Sequence, residues 1–571
     1  MTQNLSTKLA NLFQKSALSA FQIEDPVEIT ESTKEIFGDY QCNSALKFAK
    51  TVSKNPRDVA EELIKHLKDD EHLIKKMELA GPGFINIHIN PAYLEKELFD
   101  IYNDPKLGIE RPSRKQKIIC EFSSPNIAKA MHVGHLRSTI IGDSLARLFE
   151  FLDHDVLRLN HVGDWGTQFG MLIAYLKMFH KRVLEEKTET PIEDLMEWYK
   201  ASKKKFDESP EFKKSAQEEV VKLQGGDKDS LSAWAHICDI SRKAFEEIYN
   251  LLDVHLNERG ESFYNPYLKE VVSEFEKKGL VALDHGAKCL FLDGYKNKEG
   301  DPLPLIIQKS DGGYNYSTTD LAGFKYRIEE DLAERIVIVT DIGQSTHFKM
   351  VYDAALKADI IDPNRVVFNH VPFGLVLSPE GKKFKTREGE TERLVDLLEE
   401  SIVAARKLLE GRDVDDLETS AKTLGIGAVK YADLSCNRVK DYTFSYERML
   451  KFEGNTVAFI LYAYVRINSI QKKLNAPVLP TKLTLLHPSE FALALHLRRF
   501  GEALKQMDVE LLPNRLTDYL YHLAEKFHSF FRDCRVEGSE NQATRLFLCD
   551  FTKKMIAQGL EILGIKTLPK M

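Results

Sequence analysis

Glu121-Phe-Ser-Ser-Pro-Asn126-Ile-Ala-Lys129-Ala-Met-His132-Val-Gly134-His135 decides how the rest of the chain is read. On its N-terminal side Lys117-Ile-Ile-Cys-Glu-Phe122 is a short apolar run that reads as a strand. On its C-terminal side Leu136, Ile140, Leu145, Leu148, Phe149 and Leu152 keep helical spacing, and Val156 to Leu159 resumes as strand. A strand joined to the next by a polar loop and a helix is the unit of a parallel sheet, which needs a crossover of that length. The theme returns with Leu303 to Gln308 as strand, Thr319 to Glu330 as helix, Arg335 to Thr340 as buried strand, Gln344 to Ala358 as helix and Arg365 to Phe368 as strand. These stretches predict a doubly wound, Rossmann-type α/β sheet with the quoted loop as its ligand site.

Outward from that unit the character of the chain changes twice. Residues 1–112 read as an α+β domain that closes with the strand-like Gly83-Phe-Ile-Asn-Ile-His-Ile89 after the turn signal Gly81-Pro82. The charged link Glu110-Arg-Pro-Ser-Arg-Lys115 follows, and the α/β domain is assigned to 113–411. Inside it, residues 183–235 are so rich in Lys, Glu, Asp and Ser that they predict solvated helices, an insertion without chemistry. From about 412 to 571 helical spacing prevails, which predicts an all-α bundle.

The whole chain has 571 residues, 43% hydrophobic and 29% charged, with a formal net charge of −8. That length suits about three or four domains of ordinary size. No window approaches the ~18 apolar residues that cross a bilayer, so no membrane partner is expected. Seven cysteines without metal-ligand spacing argue against a disulfide scaffold or a structural zinc site. The Leu5, Leu9, Leu12, Phe13 spacing at the N-terminus is that of an amphipathic helix and not of a secretion signal, so the expected location is cytoplasmic. Residues 422–571 carry 22 Lys and Arg against 15 Asp and Glu, although the chain as a whole is acidic. A basic end on an acidic protein points weakly to a polyanion held there.

The quoted loop supports three chemistries. His132 and His135 stand where a strand gives way to a helix, with Gly134 between them, and helix N-terminal amides plus imidazole N–H groups suit a phosphate chain. Both histidines could instead be structural. A zinc site would need third and fourth ligands, for which His154 and His161 are candidates only by nearness in sequence. No G-x4-G-K-[ST] occurs, and Gly425-Ile-Gly427 stands in the helical C-terminal region, where it reads as a helix break. A second cationic loop, Ser378-Pro-Glu-Gly-Lys-Lys383-Phe-Lys385-Thr386-Arg387-Glu-Gly389, follows the last α/β strand. Its lysines could close over a triphosphate, or it could be a solvated turn.

Together with His161-Val-Gly-Asp-Trp-Gly-Thr-Gln-Phe-Gly170, these two loops resemble the arginyl-tRNA synthetases of the class I aminoacyl-tRNA synthetases. The likeness extends to Gly38-Asp-Tyr-Gln-Cys-Asn43, Ala80-Gly-Pro-Gly-Phe-Ile85, Tyr316 to Asp320, Tyr431-Ala-Asp-Leu-Ser435, Phe452-Glu-Gly-Asn-Thr456 and Leu563-Gly-Ile565. The resemblance implies activation of L-arginine by ATP to an adenylate, in a reaction that needs bound tRNA. It implies transfer of the arginyl group to the 3′-terminal adenosine of arginine tRNA, with AMP and pyrophosphate released.

By the same resemblance His132, Gly134, His135, Phe373 and Gly374 hold ATP, with Mg2+ accompanying it. Glu121 and Asp320 take the guanidinium with Tyr316 beside them, Asn126 and Gln344 the α-amino and carboxylate end, and Ser123 also binds arginine. Asp320 as a helix cap and Tyr316 as core are the structural alternatives. The second loop departs from the K-M-S-K-S pattern of the class, because Thr386 holds the second lysine position of Lys383-Phe-Lys385-Thr-Arg387. Lys129 is the implied substitute. The N-terminal domain would contact the tRNA corner through Tyr40, Gln41 and Asn43. The C-terminal bundle, with Tyr431, Tyr442, Tyr446, Phe452, Tyr462 and Tyr464, would take the anticodon region. The expected protein is a monomer whose partners are tRNA, arginine and ATP, with no DNA.

Overall fold

The computed structural model describes residues 3–571 apart from Thr33, Thr188, Pro379, 383–392 and 475–479. Five parallel strands form the central sheet, in the spatial order Val367–Phe373, Arg335–Asp341, Lys117–Glu121, Asp155–Asn160, Asn257–Glu258. Numbered along the chain this order is 5-4-1-2-3, the doubly wound arrangement. Strand residues are apolar on both faces: Ile336 and Ile338 enter one core while Val337 and Val339 enter the other. That is why the sequence shows an unbroken apolar run there and no alternation.

The strand order reverses between Lys117–Glu121 and Arg335–Asp341, and a crevice at the carboxyl ends of that pair is where such sheets bind ligands. The helix Val133–Phe151, here the signature helix, lies so close to the first strand that a Cβ on Gly142 would sit 2.2 Å from the Phe122 ring. Two expectations shift. Pro302–Gln308 is a strand, but it pairs antiparallel with Ala287–Lys296 in a separate three-stranded sheet. The last parallel strand begins at Val367 and not at Arg365.

At the N-terminus, Ile29–Glu31, Tyr40–Cys42, Phe84–Ile89 and Ile74–Ala80 make a four-stranded antiparallel sheet backed by helices. The tight turn at Gly81-Pro82-Gly83 needs its glycines, since Gly83 has φ +150° and a Cβ there would lie 2.8 Å from the Pro56 carbonyl oxygen. The insertion forms the helices Ile192–Glu208 and Pro210–Gln224, which pack on Thr167–Phe179 around Met171, Ala174, Phe212 and Ala216. The C-terminal part is helical from Leu394, and among its described residues a short strand, Tyr442–Thr443, reaches back to pair with Val376–Leu377. Gly425 and Gly427 do not break a helix. They lie inside Leu417–Leu434, where a Cβ on Gly425 would meet the Ser401 carbonyl oxygen at 2.7 Å, so glycine there permits close helix packing. Among the described residues no helix is long and apolar enough to cross a membrane.

Candidate active site

The loop after the first strand is held in a conformation it would not choose alone. Ser123, Ser124 and Ala128 have φ of 71°, 48° and 61°, a left-handed region that side chains other than glycine's disfavour. Neighbouring elements hold each one. The Ser123 amide donates to Ser138 Oγ at 3.0 Å, the Ser124 amide to Asn160 Oδ1 at 3.0 Å, and the Ala128 amide to Ser241 Oγ at 3.0 Å. Ile127 and Gly163 complete the clamp, with the Ile127 amide on the Gly163 carbonyl and the Gly163 amide on the Pro125 carbonyl.

The two histidines build the start of the signature helix. His132 is its N-cap: its Nδ1 accepts from the Gly134 amide at 3.1 Å, while His135 Nδ1 accepts from the His132 amide at 3.0 Å. Their rings stand 4.1 Å apart. Burial and the neighbouring His132 push the His135 imidazole down to about 3, and burial with Lys129 lowers that of His132. Both rings are therefore neutral near pH 7. Because each Nδ1 accepts, each proton resides on Nε2, and that N–H donor of each ring has no hydrogen-bond partner among the described residues. The structural and ligand-binding readings of this pair are thus compatible.

His132 and His135 form the partition between two clefts. The first, about 480 Å3, lies over the crossover point of the sheet and is lined by Ser123, Gly134, Asp341, Gln344, Phe373 and Gly374 among others. The second, about 690 Å3, is lined by Asn126, Lys129, Lys200, Glu193 and Arg393. Arg393 pairs with Glu193 of the insertion and with Asp396, and it bridges to His132 along the backbone. The insertion, read from the sequence as solvated helix without chemistry, thus borders the second cleft. Lys383, Lys385, Thr386, Arg387 and Gly389 lie outside the described residues.

On the far side of the crossover, Tyr316 and Asp320 share the helix Tyr316–Glu329. Asp320 stands in the body of that helix, so it is no cap, and its Oδ2 meets His347 Nε2 at 2.6 Å. Tyr316 is 61% exposed, so it is not core, and its ring abuts that of His347 at 4.8 Å. Glu121 requires a correction. It is buried, and its Oε2 lies 2.5 Å from Nη2 of the equally buried Arg327, so its carboxylate already faces a guanidinium of the chain itself. An acid that sequence reasoning missed is nearby. Burial and the negative charges of Asp320 and Asp164 push the Glu261 carboxyl up to about 8. Asp164, clamped by the Ser262 amide and hydroxyl at 2.8 and 2.6 Å, is likewise raised by burial. The available signal was Gly260-Glu261 in the apolar setting of Ser262-Phe-Tyr264.

The N-terminal candidates also change. Tyr40 is wholly buried, its hydroxyl 3.2 Å from Glu502 and its ring under the Arg499 guanidinium, so it joins two parts of the protein and has no surface for tRNA. Gln41 donates to Asn86, and the Asn43 Oδ1 atom is buried.

Comparison with known proteins agrees with this geometry. Residues 100–446 match the model of the class I (R) tRNA synthetase catalytic domain, 460–571 the DALR anticodon binding domain, and 2–89 the arginyl tRNA synthetase N-terminal domain. The arginine–tRNA ligase of Protochlamydia amoebophila (strain UWE25) is 56% identical over 99% of this chain and 100% of its own length. The chain belongs to the arginyl-tRNA synthetases. The ligase of Crocosphaera subtropica (strain ATCC 51142 / BH68) is 49% identical with full coverage of both chains. The solved arginyl-tRNA synthetase of Plasmodium falciparum superposes with a TM-score of 0.87 at 33% identity over the whole of both chains. That of Thermus thermophilus shares the fold, with a TM-score of 0.82 at 23% identity over 99% of this chain and all of the other. As an arginine–tRNA ligase, the protein joins L-arginine to the 3′-terminal adenosine of its tRNA through an arginyl-adenylate, using ATP and releasing AMP and pyrophosphate.

Proposed function

We propose that the residues gathered at the crossover divide this reaction among them as follows. ATP occupies the first cleft with Phe373 and Gly374 along one wall, and its phosphates pass the helix N-terminus within reach of His132 and His135 Nε2. Lys129 and Arg393 supply positive charge on the pyrophosphate side, joined by Lys383, Lys385 and Arg387 of the second loop. The guanidinium of arginine lies between Asp320 and Glu261 beside the Tyr316 ring, since a planar cation suits paired carboxylates. Ser123, Asn126 and Gln344 hold its other end.

In the first step a carboxylate oxygen of arginine bonds to the α-phosphorus as the bond to the bridging oxygen breaks, and pyrophosphate leaves with the electron pair. In the second the terminal ribose hydroxyl of tRNA attacks the carbonyl carbon, its proton is lost, and AMP leaves. No side-chain nucleophile is needed, so the protein contributes position and charge. Magnesium accompanies the ATP phosphates, as a hard cation with oxygen ligands. Residues 1–112 contact the tRNA corner, 113–411 carry the chemistry, and 412–571 hold the anticodon region.

The observation that supports this reading best is the neutral, mutually capping histidine pair at the strand crossover, which lines the cleft there together with Ser123, Gln344, Phe373 and Gly374. ATP–pyrophosphate exchange with each amino acid, with and without tRNA, tests it. Exchange is expected with arginine alone and only when tRNA is present. Lysine should be rejected by ~10^4 or more, because it leaves a site built for a bidentate partner half-unpaired. Equal exchange with lysine would overturn the guanidinium site.

A further inference from the structure

Arg137 heads the largest side chains that are wholly buried among the described residues. It leaves the signature helix two residues after His135 and spans two parts of the chain. Its Nη1 donates to the Gly374 carbonyl at 2.8 Å and to the Lys440 carbonyl at 3.1 Å. Its Nε lies 3.0 Å from the carboxylate of Asp433, on the C-terminal helix Leu417–Leu434. The guanidinium is flanked by the rings of Phe373 and Tyr442 at 5.8 and 5.2 Å.

The backbone repeats this link. The Gly374 amide donates to the Arg438 carbonyl at 2.8 Å, Tyr442 to Leu375 at 3.1 Å and Phe444 to Leu377 at 2.9 Å. The Leu375 amide donates to Asp441 Oδ1 at 2.6 Å, and Arg438 Nη1 to the Pro372 carbonyl at 2.6 Å. The fit is close enough that a Cβ on Gly374 would lie 2.6 Å from Asp441 Oδ1 and 2.8 Å from the Lys440 carbonyl carbon. The 372–377 wall of the first cleft is therefore seated on the C-terminal segment 438–444. Arg137 fastens both to the helix that carries the histidines.

A buried ion pair adds little net stability over apolar packing, whereas a rigid guanidinium fork fixes two carbonyls and a carboxylate in one plane. We propose that Arg137 is a positioning residue for the nucleotide: it sets the Phe373–Gly374 wall against the histidine pair and makes that wall depend on the C-terminal helix through Asp433. The inference rests on reading the first cleft as the ATP site. Its signature is a change in ATP larger than any in arginine or tRNA, since the contacts of Arg137 run to the Gly374 and Lys440 carbonyls and to Asp433.

The test uses the full chain with saturating arginine and tRNA in ATP–pyrophosphate exchange, together with thermal melting and tRNA binding. Arg137→Lys keeps the charge and loses the fork. It is expected to raise KM for ATP about tenfold, with KM for arginine and Kd for tRNA within about twofold. Asp433→Asn should raise KM for ATP as well, and the double variant should be no worse than the worse single one, because both break one link. Asp441→Ala removes an exposed acceptor from the Leu375 amide and should raise KM for ATP about threefold; it decides the matter alone if the Arg137 variants do not fold. An unchanged KM for ATP in the folded variants, or an equal loss for ATP, arginine and tRNA, overturns the proposal. His135→Ala separates the two readings: if it leaves KM for ATP unaltered, the ATP site itself has been misplaced.

Discussion

Glu261 shows what burial does to one side chain. An acid raised to about 8 is mostly protonated near pH 7 in the empty protein, and a guanidinium bound beside it favours the charged form. Arginine binding should therefore release a proton, and affinity should fall as pH drops below about 8. Glu261→Gln should flatten that dependence and weaken arginine binding, as read by calorimetry in buffers of different ionisation enthalpy. A wild-type affinity independent of pH between 6 and 8.5 would remove Glu261 from the site. The residue escaped sequence reasoning because its acidity is set first by burial and then by Asp320 and Asp164, which stand 59 and 97 positions away along the chain. Glu121 shows the complement: only packing reveals that its carboxylate faces Arg327.

At the scale of the element, the signature helix carries two roles on one side chain. His132 caps the helix through Nδ1 and offers Nε2 outward, and these functions can be separated. Asn is among the best N-cap residues, so His132→Asn should keep the melting temperature while slowing adenylate formation by ~10^2 or more. His132→Ala should lose the rate and also ~1 kcal/mol of stability. Exchange kinetics beside thermal melting check both, and an unimpaired rate in His132→Asn would leave the histidine a cap only. The strand and helix themselves were legible at Lys117–Phe122 and from Leu136 onward, because apolar period survives any tertiary context. The left-handed Ser123, Ser124 and Ala128 were not, since their conformation is imposed by Ser138, Asn160 and Ser241 from other elements.

Across the whole molecule, the N-terminal unit and the C-terminal helices meet through charge and through rings, with Phe99 and Tyr102 against Phe547. Arg499 reaches the Asp39 carbonyl at 2.8 Å and Glu31 at 3.0 Å, and Arg498 pairs with Glu97 at 2.9 Å. Deleting residues 1–112 leaves these groups open to water, so the remainder should fold and bind tRNA more weakly, with a shallower dependence of log affinity on log salt. Filter binding across a salt series measures this, and unchanged affinity with an unchanged slope would exclude the N-terminal unit from the tRNA surface. The opposite truncation is uninformative. A cut at 412 removes Asp433, the 438–444 segment and Lys430, whose Nζ donates to the Gly564 carbonyl at 2.7 Å and to the Leu252 carbonyl, and so strips the seat of the 372–377 wall.

The residues by themselves determined the doubly wound sheet, the helical C-terminal region, the histidine pair at a strand-to-helix turn and, through the extended likeness, the arginyl-tRNA synthetase family. Each of those depends on local period or on short motifs, which a linear chain displays. Tertiary structure alone decided that Pro302–Gln308 belongs to another sheet, that Tyr40 is a buried joint, that Glu121 faces Arg327 and that Arg137 ties Gly374 to Asp433. Such facts concern which side chains meet across hundreds of positions. The energy of burying a charge is settled only by the partner it finds there.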